Sequence, residues 1–110
     1  MSDLTGMKIL LVDDTPANID VLRRILGNEG LEISVAMNGE TTLTLVGKNR
    51  PDLILLDVMM PGIDGFETCE RLKADPDTRN IPIIFVTAKT DLEDVVRGFK
   101  VGGVDYITKP

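Results

Sequence analysis

The sequence predicts an α/β domain in which a parallel β-sheet carries helices on both faces. Short apolar segments alternate along the chain with segments whose apolar residues recur at helical spacing. Three of the apolar segments are continuous rather than alternating, which is typical of strands that helices cover on both sides. The 110 residues suffice for one domain with a single core.

Five strands are predicted from the apolar segments. They are placed at residues 9–12, 31–35, 53–56, 82–86 and 104–107. The second alternates strictly between apolar and polar residues and the fifth carries polar residues, so both are predicted at the edges of the sheet. Pro82 is compatible with a strand because it takes the first position.

Four helices are predicted between these strands. The first begins at Pro16, and the others span about residues 39–48, 66–74 and 91–101. Thr15 and Asn38 are predicted to cap the first two helices, and Pro16 suits the first helical position. In the first helix the apolar residues fall at helical spacing, at Ile19, Leu22, Ile25 and Leu26. In the second helix Leu43 and Val46 are expected to face inward.

The positions of the edge strands predict the strand order 2-1-3-4-5 of a flavodoxin-like, doubly wound sheet. The printed chain stops at Lys109-Pro110, after the fifth strand and before the fifth helix that would complete this pattern. We therefore expect residues 1–110 to form one domain, truncated after strand five. An apolar strip beside strands one and five is then expected to be exposed, or covered by a partner or a second copy.

Charge and composition exclude several function classes. Eighteen acidic and twelve basic residues give a net charge of −6, which disfavours direct binding to nucleic acid or anionic membranes. Residues 1–6 show no export signal and no apolar run is long enough to span a membrane, so a soluble cytoplasmic protein is expected. Cys69 is the only cysteine and is expected to have a packing role. The chain lacks histidine and so cannot carry its own phosphohistidine.

Polar residues that could together bind a metal ion and a phosphoryl group follow or end four of the predicted strands. They are Asp13, Asp14, Asp57, Thr87 and Lys109. Because the carboxyl ends of parallel strands form the ligand crevice of such a sheet, we expect these side chains to converge. The carboxylates would repel one another, and a divalent cation removes that repulsion. Oxygen ligands without histidine or a nearby cysteine favour Mg²⁺, and the lysine can pair with Asp57 or a phosphoryl oxygen.

Four segments in this order resemble the receiver domain of two-component response regulators. They are Asp13-Asp14, residues 57–65, residues 85–88 and residues 103–110. The resemblance runs from about Lys8 to Pro110. It implies that Asp57 accepts a phosphoryl group from a histidine kinase or a histidine phosphotransfer protein, forming an aspartyl phosphate for signal transduction. It also implies an effector domain or chain, and no reaction beyond the domain's own phosphorylation and dephosphorylation.

The resemblance also implies a role for each site residue. Mg²⁺ would be held by Asp14, Asp57 and the main-chain carbonyl of Met59, with Asp13 acting through a metal-bound water. The phosphoryl oxygens would be bound by Lys109, the Thr87 hydroxyl and the Ala88 amide, and Tyr106 would turn inward as Thr87 moves. Met59 has no polar side-chain group to orient an attacking water, and Lys89 adds a cation at the same entrance. We therefore expect slower self-dephosphorylation than in receiver domains that have Asn or Glu at these positions.

Three alternatives remain. A receiver-like module that only binds proteins would be expected to lack an acidic or lysine residue of the site, and none is missing here. A phosphatase working through an aspartyl intermediate needs a second acid two residues after the nucleophile, where this chain has Met59. A flavin or nucleotide carrier needs a glycine-rich phosphate loop, which the predicted crevice lacks.

Overall fold

A five-stranded parallel sheet forms the centre of the molecule. The computed structural model describes residues 6–27, 30–87, 100–102 and 105–108. For Thr87 and residues 105–108 it describes the backbone alone. The elements are β1 (Lys8–Val12), α1 (Pro16–Leu26), β2 (Glu32–Ala36), α2 (Gly39–Lys48), β3 (Leu53–Leu56), α3 (Gly65–Ala74), β4 (Ile83–Thr87) and β5 (Asp105–Thr108). The strand order is β2-β1-β3-β4-β5, which confirms the predicted flavodoxin-like arrangement.

Part of the sequence prediction falls on residues outside this description. The predicted fourth helix lies almost wholly there, and only Lys100 is described as helical. Ala88, Lys89, Lys109 and Pro110 also lie outside the described residues.

The buried side chains form two layers, one on each face of the sheet. The larger layer joins β1, β3 and β4 to α2 and α3, and includes an edge-on contact between Phe66 and Phe85 at 5.3 Å between ring centroids. The smaller layer faces α1. β1 and β3 are almost wholly buried while β2 alternates, which confirms the predicted difference between central and edge strands.

The apolar residues of the first helix differ in burial. Ile19 is buried and Leu22 and Leu26 are half-buried, whereas Ile25 is 65% exposed. Successive residues turn by about 100° along a helix, which puts Ile25 roughly 90° from the centre of the stripe formed by the other three. The spacing was helical, but this residue lies on the flank of α1, next to the exposed Val21.

The caps explain where the helices begin. The Asn38 side chain accepts a hydrogen bond from the Thr41 amide at 2.7 Å, as predicted. Asp64 does the same for the Glu67 amide at 2.8 Å, so α3 begins at Gly65, one residue earlier than predicted. Thr15 takes the predicted cap position without a side-chain cap bond.

None of the described helices combines the length and the apolar character that a membrane span requires.

The buried thiol of Cys69 predicts a stability loss at alkaline pH. Burial raises its pKa from the ordinary 9.0 to about 11, while the charge of Lys73 lowers it and that of Glu70 raises it by smaller amounts. A raised pKa in the folded state contributes stability that is complete below pH 9 and is lost as the pH rises through 11. The loss amounts to roughly 2 to 3 kcal/mol.

Comparison with Cys69→Ala isolates this effect. Under reducing conditions, the difference in unfolding free energy between the two proteins should shrink by about 2 kcal/mol between pH 8 and pH 11. A difference that stays constant over this range would contradict the prediction.

Candidate functional site

Three carboxylates meet at the carboxyl edge of the sheet. Asp13 and Asp14 follow β1, and Asp57 follows the adjacent strand β3. One oxygen from each carboxylate lies within 4.8 Å of the others. Asp13 and Asp57 are each only 2% exposed, whereas Asp14 is exposed. The structure therefore brings together the acidic residues that the sequence predicted to converge.

The backbone fixes both buried aspartates. The Asp13 amide donates to the Ala36 carbonyl at 3.1 Å, and the Asp57 amide donates to the Val12 carbonyl at 2.9 Å. These bonds extend the pairing of β1 with β2 and of β3 with β1 by one residue. The carboxylates therefore leave the sheet at neighbouring points with little freedom in their main chain.

Local hydrogen bonds also orient these two carboxylates. Asp13 Oδ1 accepts from the Thr15 amide at 2.9 Å, just before α1. Asp57 Oδ1 accepts a longer bond, 3.4 Å, from the Met59 amide. Each aspartate thus closes a short turn with the residue two positions later, a common arrangement for this side chain.

The donor set suits a small divalent cation. Three carboxylates this close repel one another, and burial of two of them strengthens the repulsion. Oxygens that share a Mg²⁺ ion lie about 2.1 Å from it and therefore about 3 to 4 Å from one another. The spacing within 4.8 Å is close to this range. The arrangement fits a hard cation with oxygen ligands, which neutralises the cluster.

The segment after β3 carries Asp57 on a tightly packed loop. Val58 and Met60 are buried, while Met59 between them is 59% exposed. Gly65, the first residue of α3, lies against the Asp57 carbonyl and donates its amide to the Val58 carbonyl at 2.9 Å. A Cβ on Gly65 would clash with that backbone. Sequence reasoning treated this glycine as a loop residue, although the Asp-Gly pair before an apolar helical position was a usable signal.

The remaining predicted site residues are described in part. Thr87 ends β4, and Tyr106 in β5 lies beside Phe85 of β4. Leu56, which precedes Asp57, is the register partner of the same Phe85. The backbones of β3, β4 and β5 therefore run side by side at this edge. The Thr87 and Tyr106 side chains, together with Ala88 and Lys109, lie outside the described residues.

A five-stranded sheet in this order, with an acidic cluster at its carboxyl edge, agrees with the resemblance of the sequence to receiver domains. The family model described as "Response regulator receiver domain" matches residues 9–110. The chain therefore belongs to the receiver domains of two-component response regulators, and Asp13, Asp14 and Asp57 lie in the phosphorylation site.

Individual relatives agree with this assignment. The chain is 48% identical over 103 residues to response regulator PleD of Caulobacter vibrioides, covering 94% of this chain and 23% of PleD. It matches a putative response regulator from Chloroflexus aurantiacus with a TM-score of 0.91 at 37% identity, covering 96% of this chain and 87% of that one. The Mn²⁺-bound form of response regulator Rcp1 matches with a TM-score of 0.89 at 27% identity, covering 96% and 82%. The chain spans less than half the length of the curated relatives it matches first.

Proposed function

We propose that Asp57 accepts a phosphoryl group from the phosphohistidine of a partner protein in a Mg²⁺-dependent step. The observation that carries this proposal is the gathering of Asp13 and Asp14 around Asp57, with ligand oxygens within 4.8 Å. A carboxylate oxygen of Asp57 forms a bond to phosphorus while the P–N bond to the donor imidazole breaks, and the departing imidazole nitrogen takes up a proton from water. Such transfer depends on positioning and on neutralising the phosphoryl oxygens.

We take the individual metal ligands from the resemblance to receiver domains. Asp14, Asp57 and the Met59 carbonyl would hold Mg²⁺, and Asp13 would act through a metal-bound water. Mg²⁺ keeps several waters and uses few carboxylates, which agrees with the exposure of Asp14 beside two buried aspartates. When bound, the ion supplies positive charge to the phosphoryl oxygens. The Mn²⁺-bound relative Rcp1 supports a divalent cation in this fold.

The remaining phosphoryl contacts are assigned to the ends of β4 and β5. Lys109, the Thr87 hydroxyl and the Ala88 amide would bind the phosphoryl oxygens. Tyr106 would turn inward as Thr87 moves toward the phosphate, which shifts the population of the domain toward its active arrangement. The parallel register supports this assignment, because β4 pairs with β3, which precedes Asp57, and β5 pairs with β4.

The partner and the setting are part of the same proposal. Residues 1–110 would act as one receiver domain. A histidine kinase or a histidine phosphotransfer protein in the cytoplasm would phosphorylate it. An effector domain or chain would read the signal, in keeping with the greater length of PleD. The net charge of −6 argues against direct nucleic acid binding or membrane binding by the receiver itself. Self-association through the sheet face beside α1 is a further proposed contact.

Labelling with acetyl phosphate tests the proposal. The intact protein should gain the mass of one phosphoryl group in Mg²⁺, gain none in EDTA, and gain none as the Asp57→Asn variant. Peptide mapping should place the modification on Asp57. A phosphoryl mass gain that persists in Asp57→Asn would remove this residue from its role. A properly folded wild-type protein that never gains the mass would favour the alternative of a module that only binds proteins.

Met59 predicts a slow loss of the phosphoryl group. Its side chain is exposed next to the acceptor and offers no hydrogen bond to an incoming water. Met59→Asn supplies one, and orientation of the water should speed hydrolysis of the phosphorylated protein by about tenfold, within the range of such positioning effects. Phosphoryl decay measured by intact mass checks this, with Met59→Leu as the apolar control. Equal or slower decay in Met59→Asn would contradict it.

A further inference from the structure

Lys73 on α3 joins two segments that are distant in the chain. Its Nζ donates to the carbonyls of Arg79 at 2.9 Å and Ile81 at 2.7 Å, in the connection that leads to β4. Its stem lies along Gly102: a Cβ built on that glycine would be 2.6 Å from Lys73 Cγ and 3.2 Å from both Cδ and Cε. Burial lowers the pKa of the amine, in keeping with a group partly withdrawn from water.

One helical turn earlier, Cys69 makes a second contact with the same segment. Its Sγ donates to the Val101 carbonyl at 3.4 Å, and Val101 packs against the larger core layer. Gly102 itself has a φ of +109°, which disfavours any residue with a side chain. Residues 101 and 102 therefore rest on α3 at two points, in a conformation that glycine makes accessible.

These contacts matter because β5 begins at Asp105, soon after Gly102. β5 is an edge strand of the sheet, and among the described strands it pairs only with β4. An edge strand has main-chain hydrogen bonds on one side, so its register is less firmly held than that of a central strand. The contacts of Val101 and Gly102 with α3 constrain the chain ahead of β5 and so help to hold its register.

We propose that Lys73 is a positioning residue that sets where β5 starts relative to β4, and thereby where Tyr106 lies. The amine ties the α3 end to the connection before β4, and the stem blocks Gly102 from sliding toward α3. The same side chain thus positions both β4 and β5. The effect on phosphorylation rests on the proposed function, because Tyr106 and the residues after β5 are assigned to that site. The effect on β5 does not.

The fluorescence of Tyr106 gives a direct readout, since the chain has one tyrosine and no tryptophan. Lys73→Met keeps an apolar stem but removes the donor whose two hydrogen bonds hold that stem against Gly102. We expect amide exchange at residues 105–108 to accelerate about tenfold through loss of two hydrogen bonds, with increased acrylamide quenching of Tyr106. Amides of β1 and β3 should change much less. Lys73→Arg keeps donors for both carbonyls and should restore the wild-type values.

Lys48→Met is the matched control, because it removes the same charge from an exposed position at the end of α2. The proposal is overturned if Lys73→Met leaves β5 exchange and Tyr106 quenching unchanged, or if it accelerates all strands equally. It is also overturned if Lys48→Met has the same effect on β5. Acetyl phosphate labelling of these variants should be slower for Lys73→Met than for Lys73→Arg. If the wild type itself is not labelled, the proposed function fails, while the fluorescence and exchange results still decide the role of Lys73.

Discussion

Replacement of Gly65 by alanine is expected to destabilise the domain by at least about 3 kcal/mol, at the upper end of what overpacking usually costs. The added Cβ would contact the Asp57 carbonyl oxygen and lie 2.8 Å from Val58 Cα and 2.9 Å from the Asp57 carbonyl carbon. All three are backbone atoms, which cannot move aside as a flexible side chain can. The strain falls on Asp57 itself, so acetyl phosphate labelling should decrease together with stability.

Urea unfolding measures this effect, and Gly47→Ala is the matched control. Gly47 lies within α2, and a Cβ there would meet nothing within 4 Å. The same substitution should therefore stabilise the domain by about 0.5 to 1 kcal/mol through helix propensity. Opposite signs for the two variants are the expected result. A Gly65→Ala protein as stable as the wild type would show that α3 moves away from the acceptor loop at little cost.

The sheet was predictable because its signal is local. Continuous apolar runs in β1 and β3, and alternation in β2, state directly how many faces of each strand are covered. The resulting order brings Asp13 and Asp57 to neighbouring strand ends without knowledge of any side-chain conformation. The acidic cluster therefore followed from the order of strands and the position of each aspartate after its strand.

The features that the sequence did not predict depend on contacts between secondary-structure elements. Ile25 has helical spacing, but its burial depends on what lies beside α1, and spacing along one helix carries no information about that neighbour. The need for glycine at position 65 arises from the distance between α3 and the Asp57 backbone, which periodicity cannot supply. The contacts of Lys73 could not be predicted for the same reason, since its partners are main-chain carbonyls that no residue type reveals. The parts played by Lys109, Thr87, Ala88 and Tyr106 stay predictions.

Asp14→Asn is expected to separate metal binding from folding. Asp14 is exposed, whereas Asp13 is buried and accepts the Thr15 amide, so only Asp14 can be changed at little cost to the fold. Mg²⁺ at ten times the wild-type Kd should stabilise the wild-type domain by about 1.4 kcal/mol. If the variant binds Mg²⁺ at least tenfold more weakly, the same Mg²⁺ concentration should stabilise it by no more than about 0.4 kcal/mol. Labelling by acetyl phosphate at limiting Mg²⁺ should fall at least tenfold, in line with the loss of a metal ligand.

Asp20→Asn provides the control for charge, because it removes one negative charge from an exposed position on α1. It should leave both the Mg²⁺-induced stabilisation and the labelling rate at wild-type values. If Asp14→Asn keeps the full response to Mg²⁺, Asp14 is not a ligand and the ion is held by Asp57 and Asp13 instead. If both variants lose it equally, Mg²⁺ acts by screening the acidic surface, and the cluster is not a specific metal site. A loss confined to Asp14→Asn ties the cation to the one carboxylate of the cluster that faces solvent, where an approaching phosphodonor would meet it.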